Sequence, residues 1–211
     1  MQKIDAIRQE YNRSSLTEEQ VAGNPIDQFA VWFESAVQAG LPDPNAMSVA
    51  TVGPDGRPSL RILLIKGFDQ RGFTWYTNYN SRKGRELAAQ PFAALLFHWP
   101  QLERQVSIEG RVARIDSAES DAYFASRPRA SRLGALVSAQ SEPIADRAQL
   151  DARFAAADDS AGDALTRPAH WGGYRLRPER IEFWQGRSSR LHDRLLYTLD
   201  EGRWQLERLQ P

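Results

Sequence analysis

The sequence predicts a mainly β, α+β fold: an antiparallel barrel with helices packed around it. Three observations carry this. Apolar, β-branched runs fill the stretch from Met47 to Ile115 and return after Gly173, broken by Gly- and Pro-bearing turns. One of these runs alternates polar and apolar residues with period two. Nothing alternates as βαβαβ, and no GxGxxG follows a strand, which disfavours a Rossmann nucleotide site. With 211 residues, 41% of them hydrophobic, the chain can build one sizeable core.

Taken in order, residues 3–11 predict a short amphipathic helix, followed by a polar stretch to Asn24. Pro25 opens a second helix, with Phe29, Trp32, Phe33, Ala36 and Val37 at helical spacing and Gly40 and Pro42 ending it. Strands follow at 47–52, 59–68 and 73–79, separated by the turns Gly53-Pro54-Asp55-Gly56 and 69–72. A helix at 81–90 stops at Pro91, and 92–99 resumes as a strand. Over 103–115, Glu103, Gln105, Ser107, Glu109 and Arg111 face one way, against Val106, Ile108 and Val112. Asp116 and Glu119 have capping-box spacing for a helix reaching about Arg127, where Pro128 ends it. Further helices are predicted near 131–137 and 145–157, with an exposed loop at 155–166. Strands return over 173–184 and 191–209, with a hairpin at Asp200-Glu201-Gly202. No tandem repeat or linker divides 25–211, which therefore reads as a single domain behind an N-terminal segment, 1–24.

Composition removes whole classes of function. Lys plus Arg and Asp plus Glu are 27 each, so the basic surplus of a nucleic-acid binder is missing. There is no cysteine, which rules out disulfides, thiolate nucleophiles and Cys-ligated metals. His98, His170 and His192 are far apart in sequence, so a His-built metal site is not expected. Residues 1–19 show no apolar signal core, and the longest purely apolar run, 92–97, is far short of a membrane span. The expectation is a soluble, cytoplasmic protein.

Several clusters could carry chemistry. Arg61-Ile62-Leu63-Leu64-Ile65-Lys66 is a strand with a cation at each end. Residues five apart point to opposite faces of a regular strand, so both serve one ligand only if the strand bulges or twists; the alternative is a pair of solvated strand-end charges. Tyr76-Thr77-Asn78, then Ser81-Arg82-Lys83, brings free N–H groups, a hydroxyl and two cations to a helix N-terminus. That is phosphate chemistry, or an ordinary N-cap with basic neighbours. Tyr123 and Arg127, spaced i,i+4, with Ser131 beyond Pro128, could close around a second phosphate, or be a core tyrosine beside a surface arginine. In extended chain, Arg190, His192 and Arg194 would share one side, and two guanidiniums would hold the imidazole neutral.

Together these stretches resemble the pyridoxine/pyridoxamine 5′-phosphate oxidase family, from about Ile7 to Pro211. The resemblance rests on 61–66, 73–83, Leu102-Glu103-Arg104-Gln105-Val106, Ser126-Arg127-Pro128-Arg129-Ala130-Ser131, Trp171-Gly172-Gly173, Ile181-Glu182-Phe183-Trp184-Gln185-Gly186 and Arg190-Leu191-His192-Asp193-Arg194.

The resemblance implies an FMN-binding split β-barrel, Greek-key-like, working as a homodimer. It implies FMN contacts from Arg61 through Lys66, Tyr76, Thr77, Arg82, Lys83, Gln105, Gln140, Ser141, Trp184 and Arg194. Substrate contacts are implied for Arg8, Tyr11, Lys66, Tyr123, Arg127, Ser131, Arg190, Leu191 and His192, with Arg190 and His192 the catalytic pair. The implied reaction is oxidation of pyridoxamine or pyridoxine 5′-phosphate by dioxygen to pyridoxal 5′-phosphate and hydrogen peroxide. Residues 1–24 are then a lid over the substrate. Gln9 stands where relatives often carry an arginine, which implies a looser lid, while Asn24-Pro25 for Asp-Pro is a neutral capping change. Two rivals share the barrel: an FMN oxidase of the phenazine-biosynthesis type, whose substrates carry no phosphate, and a protein that only binds a flavin or pyridoxal phosphate.

Overall fold

The computed structural model describes residues 10–162 and 165–211. Helix α1 (Pro25–Gln38) starts where expected, with Asn24 Oδ1 accepting the Ile26 N–H at 2.8 Å. Its buried stripe of Phe29, Trp32 and Ala36 closes the core: the Phe29 ring meets Phe68 and Phe73 edge-on at 4.9 Å. Val37, expected on that stripe, is exposed instead.

The strands are β1 (Ala46–Val52), β2 (Pro58–Leu64), β3 (Gly67–Asp69), β4 (Gly72–Asn78), β5 (Phe92–Trp99), β6 (Arg104–Arg114), β7 (Trp171–Gln185), β8 (Asp193–Asp200) and β9 (Arg203–Leu209). They form one antiparallel sheet in the order β2-β1-β5-β6-β7-β4-β3, with β8 on β7 and β9 on β8. Strand β7 is the seam. One edge pairs with β6 along its length, while the other takes β4 over 171–176 and then β8 over 180–185. Two partners in succession on one edge force the sheet to diverge there. The β6–β7 register shifts between Glu109 and Gly110, and Pro178, which has no N–H to give, lies opposite. A Cβ on Gly110 would come within 2.1 Å of the Arg177 carbonyl oxygen, so only glycine fits the close approach.

Helices α2 (Arg82–Ala89), α3 (Ser117–Ser126), α4 (Arg129–Val137) and α5 (Arg147–Ser160) lie in the connections. The alternation read for 103–115 is borne out, with Val106 and Ile108 fully buried and Val112 nearly so. The β8–β9 turn places Glu201 at φ 44° and Gly202 at φ 81°, the left-handed pair that a two-residue hairpin requires. No helix among the described residues is long and apolar enough to cross a membrane.

Several expectations are corrected. Residues 59–68 are not one strand: the Ile65 N–H bonds Asn45, beside β1, and the Lys66 N–H bonds Thr74 on β4, each at 2.9 Å. The regular β2 pairing with β1 ends at Leu64, and the next two amides tie the chain to Asn45 on one side and to β4 on the other. Asp116 caps α3 without a side-chain bond, and the Glu119 side chain pairs with Arg175 Nη2 at 2.8 Å rather than completing a capping box. Arg127 is the extended residue after α3, not part of its face. The loop expected from Ala155 begins only after Ser160, since Asp146 caps α5 and the helix runs on. The helix expected at 3–11 falls, with Arg8 and Gln9, outside the described residues apart from Glu10 and Tyr11, which are not helical.

Candidate active site

The N-terminus of α2 builds the first part of the site. Ser81 Oγ caps the helix by accepting the Gly84 N–H at 3.3 Å, and the tight approach of α2 to Tyr79 admits only glycine at 84. This turn carries Lys83 inward until it is 7% exposed. Its ammonium donates to Gln140 Oε1 at 2.9 Å, Thr77 Oγ1 at 3.1 Å and Ser81 Oγ at 3.3 Å. All three acceptors are neutral. Burial, then the nearby Arg61 charge, pulls Lys83 down to about 8, against the opposing pull of Glu86. Among the described residues no carboxylate touches this buried ammonium, a setting that suits an anionic ligand.

A groove of ≈ 540 Å³ opens beside it, lined by Arg61, Ile62, Arg82, Lys83, Gln140 and Ser141 among others. Ser141 holds a left-handed φ of 74° there. Arg61 is gripped by protein: Nη1 donates to Val49 O at 3.1 Å and to Thr51 Oγ1, and Nη2 to Ser59 Oγ and Glu86 Oε2. Leu63 also lines the groove, while Leu64 is exposed, Ile65 is buried, and Lys66 is an exposed side chain at the partner change. Arg61 lies within β2, whereas Lys66 falls beyond its end at Leu64, between β2 and β3.

The second region is an aromatic shelf. Neighbouring strand residues point oppositely. Thr77 therefore joins Lys83, whereas the Tyr76 ring stacks on Tyr123 at 3.7 Å and on Trp171 at 5.7 Å. The Arg127 guanidinium carbon lies 4.5 Å from the Trp171 ring, and its buried Nη1 has no hydrogen-bond partner among the described residues. Burial holds Arg127 below its ordinary value, with Tyr123 opposing. Ser131 lies in the first turn of α4, its N–H bonded to Pro128 O at 2.9 Å. An orphaned guanidinium nitrogen costs free energy unless a ligand satisfies it.

The third region is a cross-strand row. Gln105, Trp184 and Arg194 lie directly opposite one another on β6, β7 and β8. They line a cavity of ≈ 290 Å³. His192 packs 4.6 Å from Trp184, and Tyr11 lies 5.8 Å from both rings. The extended geometry expected for 190–194 is corrected. Ser189 and Arg190 turn through left-handed φ values of 56° and 62°, and β8 begins only at Asp193. Arg190 and Leu191 are exposed at this turn. Arg194 is not aligned with them as a free cation, because Glu182 holds it bidentately at 2.7 and 2.9 Å. His192 Nδ1 accepts the Arg187 N–H at 3.1 Å. Burial, then the Arg190 charge, lowers the His192 pKa, so the neutral ring carries its proton on Nε2.

The groove by α2 and the row on β6–β8 are separate and share no lining residue. Sequence reasoning passed over Glu86, Arg187, Asp193 and, as a shelf residue, Trp171. Only Glu86 left a signal, its i,i+4 spacing from Arg82. The donors present suit FMN: a buried ammonium, two guanidiniums and a capped helix start for its phosphate, and exposed apolar strand residues beside them.

Comparison with known proteins agrees with this geometry. Residues 33–160 match the family model described as pyridoxamine 5′-phosphate oxidase. Residues 171–211 match the pyridoxine 5′-phosphate oxidase C-terminal dimerisation region. The chain is 61% identical to the pyridoxine/pyridoxamine 5′-phosphate oxidase of Herminiimonas arsenicoxydans over 209 residues, 99% of each chain. It is 62% identical to that of Janthinobacterium sp. (strain Marseille), again over 99% of each. Among solved structures, PhzG from Burkholderia lata 383, in complex with tetrahydrophenazine-1-carboxylic acid, superposes with a TM-score of 0.89 at 34% identity, covering 94% of this chain and 98% of that one. A pyridoxamine 5′-phosphate oxidase-related, FMN binding protein from Nostoc punctiforme shares the fold, with a TM-score of 0.71 at 20% identity over 94% of this chain and all of that one. The chain belongs to the pyridoxine/pyridoxamine 5′-phosphate oxidase family.

Proposed function

We propose that this chain oxidises pyridoxamine 5′-phosphate and pyridoxine 5′-phosphate to pyridoxal 5′-phosphate, with FMN as cofactor and dioxygen as oxidant, in the cytoplasm. FMN bound in the groove would supply the acceptor for the two electrons lost at the substrate's C4′ carbon, the reduced oxygen leaving as hydrogen peroxide. The amine substrate then loses its nitrogen as ammonia on hydrolysis.

The observation that carries this reading is a pair of separate cations, each without a carboxylate partner among the described residues. Among the described residues Lys83 touches only neutral acceptors, and Arg127 has a buried nitrogen with none. Two phosphates, one from FMN and one from the substrate, are what such a pair calls for. On this reading Lys83, Arg82 and Arg61 hold the flavin phosphate. Arg127, Tyr123 and Ser131 hold the substrate phosphate, with Lys66 nearby. Arg190 and His192 orient the pyridine ring, and the N-terminal segment 1–24, with Arg8 and Tyr11, closes over it. Because Nδ1 of His192 is taken by Arg187, its Nε2–H is a hydrogen-bond donor to the ring, and positioning is its main contribution.

A homodimer completes the site on this reading. Leu60 and Ile62 are 68% and 64% exposed beside the groove, with Leu64, Leu96 and Phe92 also uncovered. An apolar patch of this kind is suited to a second copy. Gln105, Trp184 and Arg194 of one copy would then reach the flavin held by the other, which accounts for two half-sites in one chain.

The likeness to PhzG keeps an oxidase of unphosphorylated substrates as the second reading. Arg127 separates the two. Purified protein should be yellow and release FMN on acid treatment, and pyridoxamine 5′-phosphate should give peroxide far faster than pyridoxamine. Equal rates with both amines would favour the second reading.

A further inference from the structure

Glu86 is a carboxylate in the wrong place for an anion site. Its side chain, 6% exposed, lies beneath the groove that presents Arg61, Arg82 and Lys83. On charge alone it should repel a phosphate and weaken binding.

Its bonds explain its presence. Oε1 accepts Arg82 Nε at 2.9 Å, and Oε2 accepts Ser59 Oγ at 2.6 Å, Thr51 Oγ1 and Arg61 Nη2 at 3.3 Å. The same Ser59 and Thr51 hydroxyls accept from Arg61. One carboxylate thus fixes a guanidinium from α2 and a guanidinium from β2, with the two hydroxyls as struts. Among the described residues none accepts from the two terminal nitrogens of Arg82, nor from Nε of Arg61. Burial works to raise the Glu86 pKa, but its hydrogen bonds, Ser59 and Thr51 foremost, then Arg82 and Arg61, bring it down to about 2. It is ionised at every working pH.

We propose that Glu86 is a positioning residue that aims Arg61 and Arg82 at the flavin phosphate, and that this gain in geometry outweighs the repulsion its charge adds. The inference rests on the functional reading above. Without Glu86, neighbouring cations would spread apart and the long Arg82 side chain would regain its rotamers, both of which must be reversed on binding.

The two effects have opposite signs, so FMN affinity decides between them. Fluorescence titration of apo-protein with FMN and with riboflavin separates phosphate from ring. For Glu86→Ala, FMN affinity should fall about tenfold to a hundredfold, while riboflavin affinity stays within about twofold. Glu86→Gln, which keeps one acceptor oxygen and the shape, should fall between the native protein and Glu86→Ala. It also carries the test if Glu86→Ala does not fold. In an Arg82→Ala background the loss from Glu86→Gln should shrink. Unchanged or tighter FMN binding in the variants overturns the proposal while native FMN binding leaves the functional reading intact. Equal losses for FMN and riboflavin also overturn it, since that marks a merely structural role. Native protein that binds neither flavin overturns both.

Discussion

The Arg187 backbone N–H points at Nδ1 of His192 from 3.1 Å, across a turn in which Ser189 and Arg190 both adopt left-handed φ. Two such residues in succession, neither a glycine, store strain of about 1–3 kcal/mol each, and contacts on the C-terminal side of the turn hold it in place. Asp193, the neighbour of His192, accepts the Leu16 N–H at 3.0 Å and Arg208 Nη1 at 2.9 Å. The Arg187 N–H fixes the tautomer of the imidazole, leaving Nε2–H as a donor.

This arrangement sets the His192 titration. Burial and then the Arg190 charge hold its pKa below the usual value. Protonation would put a hydrogen on Nδ1, facing the Arg187 N–H. The ring signal in an NMR titration should move below pH 6.5, the ordinary value, and Arg190→Gln should shift it upward. An unshifted midpoint in both proteins would contradict this arrangement.

Arg127 should act through binding. Arg127→Ala should raise the KM for pyridoxamine 5′-phosphate by about tenfold to a hundredfold, the worth of one charge-assisted contact, and change kcat little. Oxidation of unphosphorylated pyridoxamine should be indifferent to the substitution. A fall in kcat with KM unchanged would remove Arg127 from the phosphate site.

Lys83 gives the site a pH dependence. In the free protein it is charged below about 8 and neutral above. A phosphate binds the charged form, so FMN affinity should weaken as pH rises past about 8, by up to about tenfold per pH unit, and Lys83→Met should flatten that limb. Stability of the FMN-free protein runs the other way. The folded pKa lies below the ordinary 10.5, so this group's penalty is full below about 8 and is relieved as pH rises from there to 10.5. Paired melting and binding curves across this window check both signs.

The exposed apolar strand face should be an interface. Phe92→Asp, on that face but outside the groove lining, should convert a dimer to a monomer by light scattering, and the monomer should lose flavin because Gln105, Trp184 and Arg194 leave with the partner. A monomeric native protein that keeps its flavin would refute the composite site.

The β6 alternation was legible because period two leaves a plain trace, and the helices α1 and α2 because Pro25, Ser81 and Pro91 mark their ends. The break after Leu64 was not, since an apolar run hides a change of partner strand made by Asn45 and Thr74, far off in sequence. The site divided in the same way. Residue types at the α2 N-terminus pointed to an anion cradle or an ordinary N-cap, and Tyr123 with Arg127 to a second cradle or a core tyrosine beside a surface arginine. The stacking of Tyr76 on Tyr123, the role of Trp171 and the Ser59–Thr51–Glu86 network depend on strand register and helix docking, which no local spacing encodes. The turn at 189–190 escaped as well, because neither residue is of a type that favours left-handed backbone.

The central claim is that two phosphate-holding cradles bring a substrate against a flavin. Its most direct test is anaerobic. Protein reconstituted with FMN is mixed with pyridoxamine 5′-phosphate, and in parallel with pyridoxamine, while the flavin absorbance is followed. Rapid bleaching by the phosphorylated amine alone, with colour restored and peroxide formed when air is admitted, is the expected result. Flavin that stays yellow with the phosphorylated amine, or bleaches equally with both, would contradict the account.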